Sequence, residues 1–136
     1  MLPTILFLDD SEPRHKAFKE RVQAAGYLSR FQIVYAYTAK YAIETLDKYQ
    51  DNICQAFLDH DLDEADTLCK VGAKTKAPTG MTVVDHIVKM QRPPRAVIVH
   101  SLNYVAALEM CTRLKSVPSS FDVFRIPFHE LLNKFM

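Results

Sequence analysis

Apolar runs and helix-period segments alternate along this chain. Residues 3–8 form the first run, with Thr4-Ile5-Leu6-Phe7-Leu8 leading straight into Asp9-Asp10, and an apolar run of that length predicts a buried strand. Ser11 is placed to cap a helix with Pro13 in its first turn; Phe18, Val22 and Ala25 give that helix an apolar face, and Gly26 stops it. Phe31–Ala36 predicts a second strand, and Thr38 caps a second helix with Ala42, Ile43, Leu46 and Tyr49 inward. Residues 54–58 predict a third strand. Thr79-Gly80 opens a third helix with Met81, Val84, Ile87 and Val88 on one face, ended by Arg92-Pro93-Pro94. Residues 96–99 predict strand four, and a helix from about 103 to 115 carries Val105, Leu108, Cys111 and Leu114. After the turn Val117-Pro118-Ser119-Ser120, Phe121–Ile126 predicts strand five and Pro127 leads into a short last helix.

Strands that alternate with helices require right-handed crossovers and a parallel sheet covered on both faces. The expected fold is therefore α/β: one three-layer, doubly wound, five-stranded parallel sheet of flavodoxin type over residues 1–136. Strands one, three and four are the most continuously apolar, which places them centrally and favours the order 2-1-3-4-5. Leu62–Pro78 has no sustained period and is long for a connection inside one domain, which predicts a functional lid or a mobile segment.

The chemistry collects where the apolar runs stop. Ala56-Phe57-Leu58 runs into Asp59-His60-Asp61-Leu62-Asp63-Glu64, and Ala96-Val97-Ile98-Val99 runs into His100-Ser101-Leu102-Asn103. In a parallel sheet these carboxyl ends share one crevice. Asp9, Asp10, Asp59 and Asp61 would then stand close enough to repel by several kcal/mol at an effective dielectric of about 20, unless a cation or shared protons intervene. A Mg2+-type ion with open water positions suits such carboxylates, and His60 admits Mn2+ or another borderline metal; solvated or helix-capping aspartates are the alternative. His100 is a candidate general acid or base, a candidate metal ligand, or a strand-end histidine bonded to backbone. Ser101 and Asn103 can bond a phosphoryl oxygen or cap the next helix. Arg125 can pair bidentately with phosphate, and Arg14 is a second candidate. His15, His86 and His129 lie in helical segments without carboxylate company and read as surface or packing residues.

Composition removes several classes. Basic and acidic residues balance at 17 to 16, which excludes a nucleic-acid sleeve or an acidic tail. No apolar run approaches a membrane span, and the amino terminus lacks the pattern of a signal peptide, so a cytoplasmic protein without membrane contact is expected. Cys54, Cys69 and Cys111 are odd in number and far apart, which argues against a disulfide framework or a thiolate zinc site. Three glycines, at 26, 72 and 80, are too few for a dinucleotide or Walker-type loop.

With these residues in place, the sequence resembles a response-regulator receiver domain over nearly its whole length. Receivers carry an acidic pair after strand one, matched by Asp9 and Asp10; a phospho-accepting aspartate after strand three, matched by Asp59; and Ser or Thr after strand four, matched by Ser101. They also place a lysine directly before a proline after strand five. Here the segment is Phe124-Arg125-Ile126-Pro127-Phe128, so the lysine is absent and Arg125 is its nearest substitute. Asp59-His60-Asp61, Thr79-Gly80 after a long insert, His100-Ser101-Leu102-Asn103, and Asp9-Asp10 with Arg14-His15 are similar to the branch called cyclic-phosphate processing receiver domains. That resemblance implies metal-dependent, phosphoesterase-like processing of a cyclic phosphate, a cyclic nucleotide or a 2′,3′-cyclic end. Nucleic acid would enter only as such a terminal phosphate. Asp9, Asp10, Asp59 and Asp61 would hold Mg2+ or Mn2+, His60 or His100 would move protons with Asp59 at the centre, and Ser101, Asn103, Arg125 and Arg14 would bind phosphate. Two other readings stand beside it: a stand-alone receiver phosphorylated on Asp59 by a small phosphodonor, and a catalytically inactive binding module.

Overall fold

The computed structural model describes residues 2–62, 78–118 and 121–134. Its strands are Thr4–Leu8 (β1), Gln32–Ala36 (β2), Ile53–Leu58 (β3), Ala96–Val99 (β4) and Asp122–Arg125 (β5), and all pair in parallel. The helices are Glu12–Ala24 (α1), Ala39–Lys48 (α2), Gly80–Ile87 (α3), Tyr104–Lys115 (α4) and Phe128–Lys134 (α5), with a 3-10 turn at Tyr27–Ser29. The sheet order is β2-β1-β3-β4-β5, the expected doubly wound arrangement.

Strand alternation sorts the core into two layers. Leu6 and Leu8, Ala56 and Leu58, and Val97 and Val99 face one way and pack with residues of α2, α3 and α4. Ile5, Phe7, Phe57 and Ile98 face the other way and pack with Phe18 and Val22 of α1 and Leu131 of α5. Each of these strand and helix residues is at most 1% exposed, so neither layer is open to water. Phe7 lies between two rings of its own layer, stacked on Phe18 with centroids 4.0 Å apart and on the His100 imidazole at 5.1 Å.

The helix starts follow the capping residues read from the sequence. Ser11 Oγ accepts from Arg14 N, Thr38 Oγ1 from Tyr41 N, and Thr79 forms a capping box with Thr82. Gly26 ends α1 in the left-handed region, at φ 73°, where a side chain would be strained. Two expectations need correction. α3 ends at Ile87, short of Arg92-Pro93-Pro94. Val105 and Leu108 are 64% and 43% exposed, because the buried stripe of α4 runs through Ala106, Ala107, Met110, Cys111 and Leu114 and leaves them turned toward solvent. The lid expected between Leu62 and Pro78 lies, apart from those two end residues, outside the described residues, as do Asp63, Glu64 and Cys69. Cys54 and Cys111 are free thiols. Among the described residues no helix is long and apolar enough to cross a membrane.

Candidate functional site

The register builds the site. Leu8, Leu58, Val99 and Arg125 lie in one row across β1, β3, β4 and β5. The next residue on each strand continues the ladder, since Asp59 N donates to Leu8 O, His100 N to Leu58 O and Ile126 N to Val99 O at 3.0–3.1 Å. Asp9, Asp59 and His100 therefore leave the sheet side by side. On β5 the corresponding residue is Ile126, and Arg125 comes one position too early. Its guanidinium carbon instead lies 4.5 Å from the centre of the Tyr104 ring on α4.

Carboxylate oxygens of Asp9, Asp10 and Asp59 lie within 4.8 Å of one another. Asp9 is fully buried; its Oδ1 accepts from Ser11 N at 2.8 Å and its Oδ2 from Arg14 Nε at 2.7 Å. Arg14 also reaches Asp59 Oδ2 at 3.3 Å and Asp10 Oδ1 at 3.7 Å through Nη2. The first turn of α1, fixed by the Ser11 cap and Pro13, thus carries a guanidinium back over the end of β1. The Asp9 hydrogen bond dominates the shift of Arg14 above its ordinary pKa. Asp59 is 4% exposed. Desolvation and the neighbouring Asp9 push its carboxyl up to about 7, against the pull of Arg14 and of the His60 amide that donates to Oδ1.

His60 and Asp61 stand at the outer edge. His60 Nδ1 lies 2.7 Å from Asp61 Oδ1, and the Asp61 side chain is 67% exposed, outside the group formed by the other three carboxylates. Asn103 caps α4 through Ala106 N, and its Nδ2 donates to the same Asp61 oxygen at 3.4 Å. Ser101 is buried, with Oγ accepting from Asn103 N at 3.1 Å. His100 is fully buried beside Phe7; its Nε2 donates to Leu8 O at 3.2 Å, and its Nδ1 has no hydrogen-bond partner. Burial lowers its pKa to about 4, so the ring is neutral at physiological pH.

Two contributors that stood in the quoted motifs were not read as site residues. His15, read as surface or packing, is fully buried and donates through Nε2 to the Asp9 carbonyl at 2.7 Å while stacking on Tyr37. Gly80 sits against the site wall: a Cβ there would lie 2.0 Å from the Asp59 carbonyl oxygen, and its amide donates to His60 O. The Thr79-Gly80 pair was the available signal, because a glycine just inside a helix start marks a close approach. His86, expected to lack a carboxylate, has Asp47 at 2.7 Å across the α2–α3 contact.

A parallel sheet in this order, with acidic residues at the adjoining ends of β1 and β3, defines a receiver-type α/β domain. A family model described as cyclic-phosphate processing receiver domain matches residues 4–116, and the chain belongs to that family. Among solved structures, a signal receiver domain from Vibrio parahaemolyticus aligns at TM-score 0.64 and 18% identity, covering 99% of this chain and 88% of that one. A chain of the CheX–CheY–BeF3–Mg2+ complex from Borrelia burgdorferi aligns at 0.63 and 15%, covering 98% and 87%. A CheY-like receiver domain from Methanospirillum hungatei aligns at 0.59 and 14%, covering 99% and 91%. Identities this low speak to the fold alone. No curated protein sequence matches the chain.

Proposed function

We propose that this receiver domain holds a divalent cation, Mg2+ or Mn2+, at Asp9, Asp10 and Asp59 and opens a small cyclic phosphate with water. The donor set fits a hard cation: three carboxylates converge, and Asp10, whose side chain is 21% exposed, leaves a side open to water ligands. When bound, the ion polarises the phosphoryl group.

The observation that carries the reading is the His60–Asp61 pair, 2.7 Å apart at the rim of the carboxylate cluster. Asp61 accepts the Nδ1 proton and so leaves Nε2 with a free lone pair, and Asn103 helps to orient Asp61. His60 takes a proton from the attacking water as the new P–O bond forms. It returns that proton to the ring oxygen as the old P–O bond breaks, giving a linear phosphomonoester. Arg14, 29% exposed and already turned to the cluster, stabilises charge on the phosphoryl oxygens.

Phosphorus NMR of the purified protein with cyclic mononucleotides, cyclic dinucleotides and 2′,3′-cyclic phosphates tests this. Metal-dependent conversion of at least one class to a phosphomonoester is expected, lost in His60→Ala and Asp59→Asn. No turnover of any class with either metal refutes it.

One observation favours a second reading. Asp59 stands at the receiver phospho-accepting position with Arg14 on its Oδ2, and the similar Borrelia complex carries BeF3 and Mg2+. On that reading Asp59 takes a phosphoryl group from a small phosphodonor. A gain of one phosphoryl mass that Asp59→Asn abolishes, without turnover of cyclic phosphates, would establish it.

A further inference from the structure

We infer that His100 is a nitrogen ligand to the cation and that the site therefore prefers a borderline metal such as Mn2+ or Co2+ over Mg2+. The inference rests on the metal-site reading above, but not on turnover. His100 leaves β4 in line with Asp9 and Asp59. With Nε2 donating to Leu8 O, the ring is held so that Nδ1 is the nitrogen turned toward the carboxylates. Nδ1 is buried, unpartnered and 3.7 Å from Asp9 Oδ2. A buried ring nitrogen without a hydrogen-bond partner is costly.

A metal ion supplies that partner. Donors about 2.1 Å from one ion and 3.7 Å from each other subtend roughly 120° there, an angle that four- or five-coordinate sites accommodate. Asp9 Oδ2 keeps its Arg14 contact through one lone pair and offers the other. The remaining features of the ring match a ligand held by its surroundings. Phe7 stacks on it at 7° interplanar angle, Phe128 meets it edge-on, and the Leu8 carbonyl takes the distal N–H, as backbone acceptors do behind metal-bound histidines. Imidazole nitrogen favours Mn2+, Co2+ and later metals over Mg2+, whose preferred ligands are oxygens.

The test uses the full chain, stripped of metal and titrated with Mn2+ and Mg2+ by calorimetry. Electron spin-echo modulation of the Mn2+ form reads directly coordinated nitrogen without any variant. Expected are tighter Mn2+ than Mg2+ binding by at least about tenfold, 14N modulation from one imidazole, and loss of both in His100→Phe with Mg2+ affinity retained. Mn2+ bound without 14N modulation, or an unchanged metal preference in a folded His100→Phe, overturns the assignment. Failure of both metals to bind overturns it together with the metal site itself. Nitrogen coordination without turnover upholds it while refuting the cyclic-phosphate reading.

Discussion

Asp59→Asn in the metal-free protein separates the charge of the site from its shape. The folded protein holds the Asp59 carboxyl at about 7 against an ordinary value of 3.8, through desolvation first and the adjacent Asp9 second. Between those values the folded state binds a proton that the unfolded state has released. Stability therefore falls as pH rises from about 4 to about 7, and the full penalty is in place above 7. The gap between 3.8 and about 7 sets an upper bound of about 4 kcal/mol. Relaxation and water entry around the ionised group reduce the expected effect to about 1–3 kcal/mol. Asparagine keeps the size of the neutral acid and its acceptor for the His60 amide, and gives up the 3.3 Å Arg14 contact at Oδ2 together with the charge. Urea unfolding with a chelator present, compared at pH 4.5 and pH 8, should show the variant near wild type at the lower pH and more stable by that amount at the higher. Saturating Mg2+ should reverse the order, because the ion favours the ionised carboxylate. A pH-independent difference, or a variant less stable than wild type at pH 8 without metal, would refute the electrostatic account.

Two further changes probe the frame of the site. Gly80→Ala places a methyl group 2.0 Å from the Asp59 carbonyl oxygen and 2.8 Å from Met110 Cε. Backbone cannot yield cheaply, so a loss of about 2 kcal/mol in urea unfolding is expected, together with weaker metal binding as the end of β3 is displaced. Wild-type stability in that variant would mean α3 does not press on the Asp59 peptide. His15→Phe preserves the ring stack on Tyr37 but leaves the Asp9 carbonyl without its side-chain donor. It should lower stability by about 1–2 kcal/mol, and an unchanged unfolding midpoint would assign His15 to packing alone.

Much of this architecture was legible because the relevant signals are local. Largely apolar runs marked the strands, Ser11, Thr38 and Asn103 capped the helices, and the abrupt polar ends at Asp9, Asp59 and His100 marked one edge of the sheet. What stayed hidden depends on phase and register. Val105 and Leu108 belong to an apolar sequence pattern, yet the stripe of α4 that meets the sheet is rotated away from them. His86 finds Asp47 only because α2 and α3 pack side by side, and His15 reaches the Asp9 carbonyl only because α1 turns back over β1. The acidic run after β3 is likewise divided by geometry: Asp59 points into the cluster and Asp61 out to His60 and Asn103.

The same register decides which arginine serves the carboxylates. Arg125 pairs with Val99 and so shares its row, one residue before the line on which Asp9, Asp59 and His100 emerge; Ile126, which is on that line, is apolar. The guanidinium beside the carboxylates therefore comes from α1, five residues beyond Asp9, and not from β5. The two arginines should then separate cleanly. Arg125→Gln removes a guanidinium stacked on a half-exposed Tyr104, so stability should change by less than about 1 kcal/mol and metal affinity should stay put. Arg14→Gln removes the group that holds the Asp59 carboxyl down and bonds Asp9. In metal-free protein at pH 8 it should lose about 1–3 kcal/mol and its stability should fall more steeply with pH. Because a competing positive charge has left the cluster, Mg2+ should bind about five- to tenfold more tightly, equivalent to about 1–1.4 kcal/mol. Calorimetric titration of both variants decides the matter: equal effects from the two, or weaker Mg2+ binding in Arg14→Gln, would mean that Arg14 supports the ion rather than standing in for it.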